Sequence, residues 1–311
     1  MALKMSNMVL LAMKQTALGT PAAPVPGTNA ILCRGLTPQV IKGKFVERNL
    51  IRGAKGNYGA IVAGEHRVFE FEVELAGSGA AGTAPKFAPL LLGCDFAETI
   101  SAGVSAAYQP HGAEGDYITL FAYLDGMLFK LTDAKGTMSF ALNAEDIPVM
   151  KFTYFGKYET PTDVTFPTGM VFTGFQKPLT VGNTNTATFT IAGLSLVTQS
   201  FSLDLANQAA WKDMIGRAGV RSPDRKPTAS AVFEMTTVAT KNWAEDVRLG
   251  TEMALAIVHG TVAGNKVGIT CPKLQFNAEP SLSDADRVAM LNASFAVMPS
   301  AGNDEVVLTF T

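Results

Sequence analysis

The stretch RVFEFEVEL, residues 67–75, alternates apolar and acidic side chains from Phe69 to Leu75. Phe69, Phe71, Val73 and Leu75 fall on one side of an extended chain and Glu70, Glu72 and Glu74 on the other. That period of two is what a half-buried strand requires and a helix cannot satisfy. Working outward, further strands are expected over 36–47, 117–124, 127–132, 136–142, 149–156, 186–191, 194–203, 229–237, 253–261, 266–270, 289–298 and 304–310. Gly, Asn, Asp and Pro separate most of them, and LDGM at 124–127 is the clearest hairpin turn. Helical signals are few. One short helix is expected within 85–96, with Thr83 as N-cap and Pro89 limiting its first turn, and another over 241–250, closed by Gly250.

The same order of segments occurs twice. GKFVERN, a Gly-rich loop, RVFEFEVEL, APKFAPLLLG and IPVMKFTYFG are followed half a chain later by LSLVTQSFSLDLAN, a loop, RKPTASAVFEM, ATKNWAEDVRLG and NDEVVLTFT. Asn49 pairs with Asn207, Arg67 with Arg225, Phe87 with Trp243, and Phe152-Thr153 with Leu308-Thr309 or Thr309-Phe310. Matches at one nearly constant offset are what a tandem duplication leaves behind. The division expected is an extended arm over 1–30, a first domain over 31–157, a Pro-containing linker over 158–169 and a second domain over 170–311. A chain with two copies of one domain presents equivalent surfaces twice, which favours assembly over catalysis.

A length of 311 residues suits two domains that each bury a core. With 47% hydrophobic and 17% charged residues, mean hydropathy reaches +0.19. Either partner subunits cover much of the surface, since interface cores are depleted of charge, or the chain is a compact β protein with large cores. The net charge of -2 argues against holding nucleic acid through phosphate contacts. Cys33, Cys94 and Cys271 have no CxxC spacing and read as small hydrophobes in a reducing compartment. The apolar run Met8 to Met13 is too short for a secretion signal, and no stretch has transmembrane length. The protein is therefore expected in the cytosol when made.

Motifs for chemistry are missing. His66, His111 and His259 stand far apart, and there is no GxSxG, HExxH or P-loop. His66, between Glu65 and Arg67, reads as an exposed loop residue. The loop 52–66 has a GxxGxxG spacing but neither a Lys-Ser/Thr ending nor a helix after it, so it reads as a mobile loop ordered by a neighbour. SLSDADR at 281–287 lacks the glycine and distal glutamate of a calcium loop and reads as an exposed turn. The three glutamates are either the solvated face of an ordinary strand or the lining of a channel that would repel a polyanion. No cofactor or metal site is expected.

Several of these segments together resemble the major tail tube proteins of long-tailed, siphovirus-like bacteriophages. They are the arm LAMKQTALGTPAAPVPGTNAI, FVERNLIRGAKG, EHRVFEFEVELAGSG followed by APKFAPLLLGCDF, YQP, FSLDLAN and SPDRKPTASAVFE. The resemblance implies a mainly β fold: two tandem β-sandwich domains, each with one flanking short helix and a long loop, whose sheets join into an intersubunit β-barrel. It implies a non-enzymatic virion protein, assembled in host cytoplasm, that stacks as rings around a lumen holding a tape-measure protein and conducting DNA without binding it specifically. Tail terminator and distal tail proteins would be its other partners, with no membrane involved. Rings of this family are sixfold or pseudo-sixfold, so a duplicated chain implies homotrimeric rings. Four strands per domain at ~4.8 Å give a perimeter of roughly 115 Å and a diameter of about 37 Å before tilt, wide enough for duplex DNA. On this reading Glu70, Glu72 and Glu74 face the lumen. Arg52, Lys55, Asn57 and Tyr58 contact neighbouring subunits from the loop, and Lys14, Thr20 and Pro21 do so from the arm. The competing reading is a two-domain β-sandwich binding or adhesion module. It would need clustered exposed aromatics, whereas Trp211 and Trp243 are isolated and fall in helix-like or loop segments.

Overall fold

The alternation at 67–75 belongs to a longer strand, Ala60–Glu74. Phe69, Phe71 and Val73 are buried in it, while Glu70, Glu72 and Glu74 stay partly exposed. The structure, a computed structural model, describes residues 3–51, 53, 55–112 and 115–311. Half of the chain is strand, and the helices described are short: Pro26–Asn29, Ala88–Leu92 and Trp243–Leu249. The fold is a mainly β, sandwich-type arrangement of antiparallel sheets, not closed into a barrel within the chain.

One ladder runs through both halves of the sequence. Its order is Arg34–Pro38 (continued by Lys42–Glu47), Ala60–Glu74, Val149–Tyr158, Met127–Asn143, Thr198–Asp204, Thr228–Glu234, Val288–Met298 and Ser281–Ala285. The first four positions come from the first half and the last four from the second. They meet where Ser139–Asn143 pairs with Ser200–Asp204, with Phe201 opposite Leu142 and Leu203 opposite Phe140. Those four side chains are buried, which fixes the register, because a slip of one residue would turn them out to solvent.

A second ladder also mixes the halves. Phe96–Ser101, Ser105–Pro110, Val307–Phe310, Val267–Phe276, Met253–His259 and Thr188–Ile191 lie side by side. It faces the first ladder through contacts such as Phe189 on Phe201, with ring centroids 5.6 Å apart. The two short helices that flank the core begin at equivalent points. Phe87 precedes Ala88–Leu92 and packs edge-on against Phe310; Trp243 opens Trp243–Leu249 and packs on Phe233. Asn242 caps the second helix by accepting the Glu245 N–H, and Gly250 ends it in the left-handed conformation, at φ 63°.

Several expectations need correction. The arm expected over 1–30 starts only after Lys14, because Met8–Lys14 is a strand between Ala30–Ile31 and Ile118–Leu124. Its run Val9, Leu10, Leu11 and Ala12 is buried. The segments 127–132 and 136–142 form one seventeen-residue strand bent at a bulge, where Asp133 adopts φ 49°. SLSDADR is not a simple turn: Ser281–Ala285 is the edge strand of the first ladder, and only Asp286 and Arg287 turn. The segment 304–310, matched by sequence to 147–156, does not take the equivalent place. Val149–Tyr158 pairs with Ala60–Glu74, but the partner of Thr228–Glu234 is Val288–Met298. Phe166 of the expected linker and Met170 and Phe172 just beyond it cover Val9, Leu11 and Ala30.

Candidate assembly surface

Three features of the first ladder carry the candidate surface: its outer face, its two free edges and the hairpins that project from it. On the outer face, cross-strand pairing sets residues in rows. Arg34, Glu72, Lys151, Ser139, Asp204 and Thr228 follow one another across six strands, and Glu74, Val149, Ala141, Ser202, Ser230 and Ser294 make the next row. The Arg34 side chain donates to Glu72 Oε2 at 2.9 Å, and Lys151 lies opposite Glu72 on the other side. Ser202 and Ser230 share a hydrogen bond of 2.7 Å. The first half of this face is charged and the second is rich in hydroxyls. Aligned by their alternation of buried and outward residues, Glu70, Glu72 and Glu74 fall on Ser230, Val232 and Glu234, so only one carboxylate recurs.

Each half sends out a hairpin. In the first half, Lys42–Glu47 pairs with the outer end of Ala60–Glu74, and the described residues among 48–59 lie outside any strand. This hairpin is apolar yet open: Phe45 is 66% exposed, Ile61 60% and Ile51 fully exposed. Lys55 and Asn57 are exposed at its tip and Tyr58 is half-buried; Asn57 accepts the Gly59 N–H. Arg52 lies outside the described residues. In the second half, Ala210–Met214 and Arg217–Arg221 form the corresponding hairpin. It folds back onto the base of the first one, where Trp211 stacks on His66 with centroids 6.0 Å apart. His66 is thus in a strand and half-buried, not in an exposed loop. Trp211 is likewise in a strand, and Trp243 is buried in the core.

An arginine closes the neck of each hairpin. The buried Arg67 guanidinium donates to the Val40 and Lys130 carbonyls and lies between the Phe129 and Tyr158 rings. Burial lowers its pKa, but from so high a value that it stays charged. Arg225 donates to Asn303 Oδ1 and, across the halves, to the His111 carbonyl; it also pairs with Glu305. Asn207 makes a second crossing, its amide donating to the carbonyls of Cys94 at 2.8 Å and Gly136 at 3.1 Å. The sequence matches Arg67 with Arg225 and Asn49 with Asn207, yet Asn49 is exposed.

The arm residues lie against their own half. Lys14 pairs with Asp116, and the turn Ala17–Thr20 is held by the Gly19 N–H on Asp133; Thr20 and Pro21 are exposed. Among the described residues no three His, Cys, Asp or Glu gather as a metal site. A cleft of about 320 Å3 beside Leu142, Phe189 and Phe201 is lined by no ionisable side chain. Burial pushes the Cys33 and Cys271 thiols up to about 12, so neither is a thiolate at neutral pH. No helix of the described residues is long and apolar enough to cross a membrane.

The arrangement fits a protein that extends its sheet through other copies. A family model described as phage tail tube protein matches residues 5–311. No curated protein matches the chain.

Proposed function

The chain belongs to the phage tail tube protein family, whose members are structural components of the virion tail, and on that premise we propose that it polymerises as trimeric, pseudo-hexameric rings. The observation that carries this is the first ladder. It places four strands from each half side by side, joins the halves through one internal junction and leaves both ends open. Exposed edges invite further pairing, and closing them with other copies removes that hazard. Three chains would bring 24 strand positions to a common barrel. The division into tube domains at 31–157 and 170–311, with a linker between, belongs to the same proposal.

The outer face of the ladder is the lumen on this reading, with Glu70, Glu72 and Glu74 lining it. Their acidity, offset by Arg34 and Lys151, comes three times around the ring rather than six, alternating with hydroxyl-rich sectors. Such a surface gives a polyanion nothing to adhere to. The lumen would hold the tape-measure protein during assembly in the host cytoplasm and later conduct DNA. Terminator and distal tail proteins would cap the stack. The hairpin with Lys55, Asn57 and Tyr58, together with Arg52, and the arm with Lys14, Thr20 and Pro21 reach neighbouring subunits. The role is structural, without a cofactor.

Electron microscopy of the purified protein tests this: rings or tubes are expected, and a monodisperse monomer under every condition would refute it. Replacing Glu70, Glu72 and Glu74 with Lys should leave tubes intact but reduce DNA delivery. Unchanged infectivity would remove the lumen assignment.

A further inference from the structure

The internal junction is a template for the contact between chains. We infer that the two free edges pair in one defined register, with Thr37 of one copy directly opposite Ser283 of the next. This rests on the tube reading above, and its register comes from this chain's own pairings. Thr37 lies opposite Glu70 and Ser202 opposite Ser230. Glu70 and Ser230 are both outward residues flanked by buried ones, Phe69 and Phe71 in one case and Ala229 and Ala231 in the other. Taking these two as counterparts makes Thr37 the counterpart of Ser202; a two-residue shift keeps the same alternation but would set Thr37 opposite Glu279, before the strand Ser281–Ala285 begins.

At the other edge, Glu72 faces Lys151, which faces Ser139; Val232 faces Asn292, which faces Ser281. Ser281 is therefore the counterpart of Ser139, and Ser283 of Ala141. Within the chain Ser202 pairs with Ala141, so between chains Thr37 pairs with Ser283 and Pro38 with Leu282.

Two independent observations agree with this register. The first is hydrogen-bond direction. The Gln39 N–H goes to the Val68 carbonyl, so Gln39 and Thr37 turn their backbone groups inward, leaving the N–H and carbonyl of Leu36 and the carbonyl of Pro38, which has no N–H, for a new partner. Asp286 and Arg287, both at positive φ, make a two-residue hairpin turn. That makes Ala285 and Val288 its hydrogen-bonded pair and leaves Asp284 and Leu282 free to bond outward. The register sets Leu36 opposite Asp284, both outward; a one-residue slip would not. The second observation is Leu282 itself. Its counterpart Phe140 is buried, whereas Leu282 is 65% exposed at the edge. Pairing covers it with Leu36 and Pro38.

Thr37 and Ser283 form a non-hydrogen-bonded pair, with Cα atoms about 4.5 Å apart, within disulfide range. The test is a double variant, Thr37→Cys with Ser283→Cys, assembled, checked by electron microscopy and oxidised mildly. Covalent dimers and trimers, with nothing larger, are expected on a non-reducing gel. Each single variant, and Thr37→Cys with Leu282→Cys on opposite faces, should stay monomeric. Tubes of normal appearance that remain uncrosslinked would overturn the register while leaving the tube reading intact. Covalent hexamers would uphold the ladder and contradict three-chain rings. Failure of the unmodified chain to form rings would overturn both.

Discussion

Asn207 holds the two halves together at a single amide. Both of its N–H bonds go to carbonyls of the first half, and Gly136 brings one of them close because a Cβ there would meet the Tyr154 ring at 2.8 Å. Asn207→Ala leaves two buried acceptors unpaired and should cost about 2 kcal/mol in urea unfolding; a loss below ~0.5 kcal/mol would show the amide is dispensable. His259 is a second residue with a readable consequence. It is buried between Thr186 and the Leu179 carbonyl, and burial lowers its pKa from 6.5. The unfolded chain therefore takes up a proton that the folded one refuses. Stability is full above pH 6.5 and falls as pH drops from there toward the lowered folded value. Melting temperature should decline across that window, and His259→Asn should flatten the decline; identical profiles would contradict this. Residue roles were only partly legible. The pairing of Arg67 with Arg225 was visible as a match in sequence, but not that each closes a hairpin neck, since backbone carbonyls have no sequence signature.

At the scale of elements, alternation made the glutamate strand readable, and LDGM marked the hairpin between Ile118–Leu124 and Met127–Asn143, with Asp125 and Gly126 at positive φ. Strands with weak alternation were missed. Ser105–Pro110 buries Ala106, Tyr108 and Pro110 among small residues, and Ser281–Ala285 is a polar edge with one exposed leucine. Ser281–Ala285, as an edge strand, has only one neighbour in the chain, so packing within the chain constrains its pattern less. The same holds for the open hairpin. Phe45→Glu with Ile61→Glu should change the monomer's unfolding free energy by no more than ~0.5 kcal/mol, as exposed substitutions do, yet abolish tubes in electron micrographs. Phe45 and Ile61 lie on opposite faces of the hairpin, so normal tubes from that variant would show that neither of its apolar faces is covered.

At the scale of the whole molecule, the sequence pointed to a mainly β chain but not to how far its two halves interpenetrate. Strand 307–310 from the far terminus pairs with 106–108, and 200–204 with 139–143. Pairings this distant in sequence depend on geometry that no local pattern records. The central claim is that one chain supplies two segments of a six-segment ring, through a junction repeated between copies. Counting chains per ring in assembled tubes, by cryo-electron microscopy at a resolution that traces the backbone, tests it most directly. Three chains per ring are expected, with 281–285 of each beside 34–38 of the next; six chains per ring, or edges left unpaired, would refute the arrangement.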